Sequence, residues 1–426
     1  MNQPSSGITV LDQLKGSPRF ALFMLLMVPA AGTIGAKEAA RLDYVTDAFG
    51  SALGIGSVGA VIAVGTAIAG SVAGPLCDRI NPRGVLLLSF AMIAASNLVT
   101  VALLAQGALS TGLIEVLALW DGLAFGIGVP ALLKLQAALV PLDARGSAEI
   151  INILRLSVGG IIGVFLARIS PSPEVTLAAC AATLAVVGVG VAVLTRPVRP
   201  AVSASPAAGQ SGAGFAGLRR VLREMPVLRS IVIADLVITF VVPTQLSNVV
   251  LVDEGNESLV LLVLLGGVVG VMVGRLSLVV TGSLGPVRRQ LVGVFTAYAV
   301  VCVASVLVVA AGWLLASGLV AGAFVLLGSA TSSYCLGLLA ALVQQTVPDQ
   351  VRGALSGLMA AARSLLIALA ASVITLIVLP FSAMAVLMVL SVLTIGSLLV
   401  LRGFRGITAD PVNELWAGPE GPAHSS

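Results

Sequence analysis

Apolar runs of about 20 residues recur along most of this chain, and each is long enough to cross the roughly 30 Å hydrocarbon core of a bilayer as a helix. The run at 51–73 is a clear example, because it contains no charged residue. Charged residues make up only 10% of the 426 positions and hydrophobic residues 58%, whereas a soluble domain averages about 25% charged residues. The sequence therefore predicts an all-α membrane protein.

The runs indicate twelve transmembrane helices, which divide into two six-helix bundles around one longer connection. The helices are expected at about 20–44, 51–73, 84–105, 112–138, 150–168, 175–195, 230–252, 259–281, 290–312, 316–342, 354–379 and 382–401. The expected organisation is a cytoplasmic tail (1–18), an N-terminal bundle (19–195), a cytoplasmic linker (196–229), a C-terminal bundle (230–404) and a second tail (405–426).

The linker contains one segment with helical periodicity. Apolar residues recur at helical spacing from Phe215 to Met225, and Arg219, Arg220 and Arg223 lie on other faces. This pattern is typical of an amphipathic helix on the membrane surface, where anionic headgroups attract arginines. A solvated linker helix is the alternative.

The distribution of basic residues predicts the orientation. If the N-terminus is cytoplasmic, most of the 23 lysines and arginines fall on the cytoplasmic side, and the acidic loop with Asp253, Glu254 and Glu257 faces outward. Lysine and arginine are enriched in cytoplasmic loops. We therefore expect a multi-pass protein of a bacterial inner membrane with both termini in the cytoplasm.

The residue inventory excludes several functions. The basic residues form no patch that would bind nucleic acid. No phosphate-binding loop is present, the four cysteines lack metal-like or paired spacing, and the only histidine, His424, lies near the C-terminus. No polar catalytic constellation is evident, so we expect no enzyme, no cofactor and no metal site.

An internal repeat supports the division into two bundles. The segment 140–146 reads VPLDARG and the segment 347–353 reads VPDQVRG, and each follows the fourth predicted helix of its half. Arg155 and Arg363 follow these segments in near register. Such duplication is typical of transporters built from structural repeats.

The loop after the second predicted helix carries a recognisable motif. It reads GPLCDRINPRG from Gly74 onward, with Asp78, Arg79 and Arg83 as its charged residues. It resembles the loop signature of the major facilitator superfamily, at the place where that family carries it. The resemblance implies a conformational gate made by Gly74, Asp78, Arg79 and Arg83; a turn that merely follows the positive-inside rule is the alternative.

The resemblance extends over essentially the whole chain and implies secondary transport. The segments 225–229 and 344–353 are similar to those of drug and siderophore exporters, although the fifth helix lacks the Gly-Pro pair of the antiporter signature. The implied function is proton-coupled export of a small molecule by alternating access. Uptake of a metabolite and lipid flipping are alternatives on the same fold. The expected partners are the substrate, protons and membrane lipids, and a monomer is expected.

Ionisable residues within the predicted helices are the candidates for proton coupling. A charged side chain at a helix centre costs about 2.5–3.5 kcal/mol on insertion scales and usually faces a functional path. Asp235 stands in an apolar stretch without a charged neighbour, so the sequence presents it as an unpaired acid about five residues into its helix. It is either a proton carrier or an interfacial structural acid. Asp121 and Glu38 are the further candidates.

Other polar residues are candidates for the substrate cavity. Lys37 and Arg41 are spaced i, i+4 and share a helix face. They either line an outward cavity with Glu38 and Asp43 or, if the first helix ends near residue 36, lie in the first external loop. The remaining cavity candidates are Thr239, Gln245 and Asn248.

Overall fold

A computed structural model of the chain describes residues 17–49, 52–77, 80–140, 145–196, 219–220, 222–223, 226–241, 266–267, 269–278, 289–294, 296–297, 299–300, 303, 317–346, 349–377, 392 and 395–396. The regular elements among these residues are α-helices. They include α1 (Pro18–Phe49), α2 (Ala52–Cys77), α3 (Pro82–Ala105), α4 (Thr111–Leu139), α5 (Arg145–Ile169), α6 (Pro173–Leu194), α7 (Pro226–Val241), α8 (Val269–Leu278), α9 (Ser317–Thr346) and α10 (Asp349–Ile377).

Several of these helices are long and apolar enough to cross a membrane. Within the described residues, five qualify by length and composition: α1, the Ser57–Cys77 part of α2, α3, α4 and α6. Their outer faces carry exposed apolar side chains such as Leu25, Val72, Val186 and Val189. In water such faces would be unfavourable, so the exposure fits helices that lipid surrounds.

The N-terminal half is a bundle of six helices. In it α1 packs against α5 and α6, α2 against α4, and α3 against α4 and α6. Its core includes Phe20, Phe23 and Leu135, which are almost fully buried. Glycines permit the closest crossings: a Cβ on Gly159 of α5 would lie 2.5 Å from the carbonyl oxygen of Val28 on α1. Small residues at helix contacts are typical of membrane bundles.

The described part of the C-terminal half is built in the same way. Helix α7 packs against α9 and α10, and their apolar faces share one core that includes Leu228, Ile238, Leu338 and Leu355. Leu222, from the linker, packs against the same core. The linker arginines that the structure describes, which include Arg223, are exposed. The rest of the predicted amphipathic segment lies outside the described residues, and its position on the membrane surface stays a prediction.

The two halves contact each other mainly through α2 and α10, with further contacts of α5 with α9 and of α4 with α10. At the main crossing a Cβ on Gly357 would lie 2.7 Å from the Cα of Gly74. Leu154 of α5 packs against the core of the opposite half. Gly74 is close to the last residue of α2, and both Leu154 and Gly357 are near the first residues of their helices. These contacts lie towards the same end of the molecule.

The helix boundaries differ from the prediction at two functionally relevant places. The first helix was predicted to end near residue 44 at the latest, but α1 continues to Phe49. The seventh was predicted to begin at 230, but α7 begins at Pro226, and proline is favoured at the first position of a helix. The second part of the predicted seventh helix, most of the ninth and of the twelfth, and the acidic loop 253–257 lie outside the described residues.

Candidate functional site

A cluster of charged side chains lies between α1 and α4 in the N-terminal half. Lys37 and Arg41 are one turn apart on α1, and both face Asp121 on α4. Lys37 Nζ donates a hydrogen bond to Asp121 Oδ1 at 2.6 Å, and Arg41 Nη2 donates to Asp121 Oδ2 at 2.6 Å. Arg41 Nη1 also donates to Glu38 Oε1 at 2.7 Å. We call Lys37, Glu38, Arg41 and Asp121 the N-half charge cluster.

Three side chains of the N-half charge cluster are buried, and the fourth is exposed. Lys37, Arg41 and Asp121 are 2%, 5% and 2% exposed, whereas the Glu38 side chain is 48% exposed. Lys37 Nζ has a further acceptor in Ser96 Oγ of α3, at 3.2 Å. Two cations thus face one buried carboxylate and one accessible carboxylate. In a medium of low dielectric constant such charges are stable only when they are paired and hydrogen-bonded.

This geometry decides between the two sequence interpretations of the 37–43 segment. Helix α1 does not end near residue 36, and Lys37 and Arg41 lie inside the helical bundle rather than in a loop. Asp43 is separate from the cluster, because its carboxylate accepts a hydrogen bond from Arg168 of α5 at 3.1 Å, and both side chains are partly exposed. The loop alternative is therefore wrong.

A second buried charge lies in the C-terminal half. Arg363 of α10 donates from Nε to Asp235 Oδ2 at 2.7 Å and from Nη2 to Asp235 Oδ1. The Asp235 side chain is 0% exposed, and that of Arg363 is 32% exposed. Two parallel hydrogen bonds from one guanidinium are the strongest common arrangement for an arginine and a carboxylate. We call these two residues the C-half ion pair.

The C-half ion pair corrects the sequence interpretation of Asp235. The expectation of an unpaired acid is wrong, since Arg363 reaches it from a helix that is distant in sequence. The depth also differs: α7 begins at Pro226, so Asp235 lies nine residues into the helix rather than five. At 1.5 Å per residue this is about 14 Å from the helix start, close to the middle of a roughly 30 Å span.

The other predicted cavity residues have mixed positions. Thr239 is buried, and its hydroxyl donates to the carbonyl oxygen of Asp235 one turn earlier at 2.8 Å. Gln245 and Asn248 lie outside the described residues. Ser333 of α9 donates to the carbonyl oxygen of Val271 and accepts from Arg275 Nε. It therefore links α8 to α9 by the kind of helix-to-helix hydrogen bond that hydroxyl residues form in membrane bundles.

The predicted gate is only partly described. Gly74 packs against Gly357 across the two halves. Asp78 and Arg79 lie outside the described residues. The backbone N–H of Arg83 donates to the Asn81 side chain, which caps α3. The participation of Gly74, Asp78, Arg79 and Arg83 in a gate stays a prediction.

Sequence reasoning missed two residues that contact the predicted site and one that contacts the residue before the predicted gate residue Asp78. Arg363 holds Asp235, Ser96 accepts from Lys37, and Lys134 of α4 donates to the carbonyl oxygen of Cys77 at 2.8 Å, at the end of α2. The internal repeat carried a signal for Arg363, because it aligned this residue with Arg155. No comparable sequence signal pointed to Ser96 or to Lys134.

Comparison with solved structures finds transporters with the same fold. The human organic anion transporter MFSD10 is 18% identical, with 94% of this chain and 100% of that chain covered and a TM-score of 0.60. The proton:xylose symporter XylE is 14% identical, with 94% and 99% covered and a TM-score of 0.66. A bacterial homologue of the iron transporter ferroportin, in an outward-facing state, is 15% identical, with 90% and 98% covered and a TM-score of 0.68. No curated protein sequence matches the chain.

These likenesses confirm the predicted fold class of twelve transmembrane helices in two bundles. The three proteins differ in what their names say they transport, so the shared fold alone leaves the substrate open. The family model of the Major Facilitator Superfamily matches residues 20–371, which is most of the chain and includes the N-half charge cluster and the C-half ion pair. The chain belongs to the major facilitator superfamily of membrane transporters.

Proposed function

We propose that this protein is a proton-coupled secondary transporter that moves a small molecule across the membrane by alternating access. The observation that carries the proposal is the burial of an aspartate in each half, where each is held by cations from another helix. Charged residues inside a transmembrane bundle are rare and usually mark ion or substrate paths. Two such sites, one per bundle, fit a path between the bundles.

A proton carrier in this chain has to be a carboxylate. The only histidine is His424, near the C-terminus, so no histidine relay crosses the bundles. Asp121 and Asp235 are the described carboxylates with both high burial and direct contacts to cations. Glu38 is the accessible member of the N-half charge cluster, and we assign it the role of exchanging protons with water.

The position of the N-half charge cluster supports access from one side. Pro18 begins α1 at the end of the molecule where the halves meet, because Phe20 and Cys77 share one core there. Lys37 lies nineteen residues further along α1, about 29 Å away at 1.5 Å per residue. A close crossing of the two halves towards one end and an accessible carboxylate towards the other fit one of the two states of alternating access. We assign Lys37 and Arg41 to the substrate side of the cavity.

The direction of transport has two candidates. Export follows from the resemblance of 225–229 and 344–353 to exporters of drugs and siderophores. Uptake with protons is favoured by a specific observation, the contact of Asp235 with Arg363. Protonation of Asp235 removes the negative charge that faces Arg363, which favours an anion beside the guanidinium. Such a site binds its proton and an anion together, which is cotransport rather than exchange.

Transport assays in two orientations test the proposal. Candidate compounds would be offered to inverted vesicles and to proteoliposomes that contain the purified chain, with and without an imposed pH gradient. We expect that accumulation of one compound requires both the protein and the pH gradient. The sign of the gradient that drives accumulation gives the direction of transport relative to the proton. Accumulation that is equal with and without the gradient, after the membrane potential has been clamped, would contradict proton coupling.

A further inference from the structure

A layer of buried polar side chains lies between two apolar cores of the N-terminal half. The first core includes Ala30 of α1, Ala124 of α4 and Leu184 of α6. The second includes Ala40, Ala118 and Leu177 of the same three helices. On α3, Ile93 belongs to the first core and Val101 packs against the second. We give the name polar layer to six buried residues between these positions, which are Thr33, Lys37, Ser96, Asn97, Asp121 and Cys180.

Hydrogen bonds between helices hold most of the polar layer together. Lys37 of α1 donates to Asp121 of α4 at 2.6 Å and to Ser96 Oγ of α3 at 3.2 Å. The Cys180 thiol of α6 donates to the carbonyl oxygen of Thr33, one turn before Lys37, at 3.7 Å. The Lys37 ammonium lies close enough to this thiol for its charge to act on the sulfur. The polar layer therefore joins α1, α3, α4 and α6 at one level of the bundle.

Asn97 is the exception in this network. It is 0% exposed, and neither its Nδ2 nor its Oδ1 has a hydrogen-bond partner among the residues that the structure describes. Asn97 follows Phe90 by about two turns of α3, so both lie on nearly the same side of that helix. The Phe90 ring is 4.0 Å from the place of a Cβ on Gly188 of α6. Asn97 is thus turned towards α6, which contributes Cys180 to the polar layer.

Lys37 has hydrogen-bonding capacity left in the same layer. An ammonium group carries three N–H donors. Within the described part of the chain, two of them are used, by Asp121 and Ser96. Ser96 is also the residue directly before Asn97. An unpaired amide and an unused ammonium N–H therefore occur next to each other, and buried polar groups are costly unless they are hydrogen-bonded.

The chemistry of these groups indicates what they bind. An anion would satisfy the Lys37 ammonium and Asn97 Nδ2 but would leave Asn97 Oδ1 unpaired. A cation would satisfy only Oδ1, and Lys37 and Arg41 would repel it. Water both donates and accepts, and buried water characteristically pairs with polar groups that lack protein partners. We propose that the polar layer is an internal water site, in which water accepts a hydrogen bond from Lys37 Nζ and pairs with both ends of the Asn97 amide.

The water site gives Lys37 a partner on the side away from accessible Glu38. When α1 and α4 shift relative to each other, the ammonium can keep a hydrogen bond to water while its contact with Asp121 lengthens. Asn97 is then a positioning residue, because it acts on the N-half charge cluster through the water that it holds. This consequence for the cycle rests on the proposed function, whereas the water site itself does not depend on it.

Radiolytic footprinting tests the water site without a transport assay. A short X-ray pulse generates hydroxyl radicals from bound water, and these oxidise adjacent side chains, with cysteine sulfur among the most readily oxidised. The purified full-length chain in lipid nanodiscs would be exposed, and oxidation of each cysteine would be measured by mass spectrometry. We expect oxidation of Cys180, which is only 4% exposed, and none of Cys335, which is buried in the apolar core of the C-terminal half. Absence of Cys180 oxidation in wild type would overturn the inference.

Two variants of Asn97 connect the oxidation to this residue. Asn97→Leu has a similar shape but no polar atoms, and it should lose the oxidation of Cys180. Asn97→Ser keeps a donor and an acceptor and should retain it. Oxidation of Cys180 that persists in Asn97→Leu would contradict the assignment of the water to Asn97. If Asn97→Leu does not fold, the outcome in wild type and in Asn97→Ser still decides.

Thermal unfolding gives an independent readout. If Asn97 were simply unpaired, its replacement by leucine would remove a buried polar group without a partner and would raise the melting temperature. With water bound, Asn97→Leu should lower the melting temperature by a few degrees. Equal melting temperatures are expected in sodium chloride, sodium gluconate and choline chloride at the same ionic strength. A rise in Asn97→Leu, or a shift specific to sodium or chloride, would overturn the water site.

A double-mutant cycle tests the link to Lys37. Lys37→Met leaves Arg41 and Asp121 as a balanced buried pair, so this variant keeps a partner for each remaining charge. If water joins Asn97 to Lys37, Asn97→Leu should lower the melting temperature less in the Lys37→Met background than in wild type. Equal losses in the two backgrounds would contradict a water shared by these two residues.

Discussion

Lys37 of α1 donates a hydrogen bond to Asp121 of α4 across 2.6 Å, in a part of the bundle where neither side chain is more than 3% exposed. The other oxygen of the same carboxylate accepts from Arg41. Asp121 is therefore the only described carboxylate that compensates two buried cations at once. Its removal would leave two positive charges between α1 and α4, with Glu38 as the remaining acid of the N-half charge cluster.

We expect Asp121→Asn to destabilise the protein strongly. Loss of one partner from a buried ion pair costs roughly 3–5 kcal/mol, because the remaining charge stays buried without compensation. Thermal unfolding of the purified chain in detergent would measure the change. The matched control is Asp43→Asn, which breaks the partly exposed contact with Arg168 and should cost at most about 1 kcal/mol. Similar losses of unfolding free energy in Asp121→Asn and Asp43→Asn would contradict the burial of the N-half charge cluster.

Much of the fold was predictable from the sequence because the bilayer imposes strong constraints. The lengths of the apolar runs predicted the helices, and the repeated segments at 140–146 and 347–353 predicted the two halves. The family match agrees with both predictions. The helix ends were harder to predict. Charged residues such as Lys37 and Asp43 normally mark the end of a span, yet α1 continues past them, since Asp121 and Arg168 on other helices satisfy them.

The candidate site was predictable as a set of residues but not as a set of pairs. Asp121, Asp235, Lys37 and Arg41 stand out because each is charged within an apolar run. Their partners depend on how helices cross, and hydrophobic periodicity does not encode the rotation of one helix relative to another. Asp235 was therefore predicted to be alone, although Arg363 lies 128 residues further along the chain and binds it.

The crossing of α2 and α10 gives a second prediction. A Cβ on Gly357 would lie 2.7 Å from the Cα of Gly74, so Gly357→Ala has to push the two halves apart at the end where they meet. We expect the transport rate of Gly357→Ala to fall about tenfold. This corresponds to a free-energy cost of about 1.4 kcal/mol for the state in which the two halves are in contact at this crossing. Initial rates in proteoliposomes with equal protein content would measure it.

The control for this prediction is a glycine without neighbours. A Cβ on Gly84 of α3 would meet nothing within 4 Å, and alanine is the better helix former. Gly84→Ala should therefore transport at about the wild-type rate. If Gly357→Ala and Gly84→Ala transport at the same rate, the close approach of α2 and α10 does not limit the transport cycle.

The motif loop gives a third prediction. Asp78→Asn removes a hydrogen-bond acceptor in the loop after α2. The carbonyl oxygen of Cys77, the last residue of α2, already accepts a hydrogen bond from Lys134. We expect transport to be impaired while the amount of protein in the membrane stays near that of wild type, because the residue acts in a gate rather than in folding. Rates would be normalised to membrane protein by quantitative blotting. A normal rate would mean that the segment is only a turn that follows the positive-inside rule.

Topology is the fourth prediction, and it concerns the linker and the acidic loop. Single cysteines at Ala207 and at Asn256, introduced into a chain without its four native cysteines, would be labelled in intact cells with a membrane-impermeant maleimide. We expect labelling at position 256 and none at position 207 until the cells are opened, because basic residues remain in the cytoplasm. Labelling of both positions from the same side would contradict the twelve-helix arrangement with a cytoplasmic linker.

The fifth prediction concerns Asp235 as the residue that couples the proton to transport. Asp235→Asn keeps the shape of a protonated aspartate but cannot release a proton, and its amide oxygen can still accept one hydrogen bond from Arg363. We expect the variant to lose accumulation driven by a pH gradient while it retains exchange of labelled for unlabelled substrate at equal concentrations, since exchange needs no net movement of protons. Both activities would be measured in the same proteoliposomes. If Asp235→Asn accumulates substrate at the wild-type rate, the C-half ion pair is structural, and the proton has to bind in the N-half charge cluster, where Asp121 is the next residue to test.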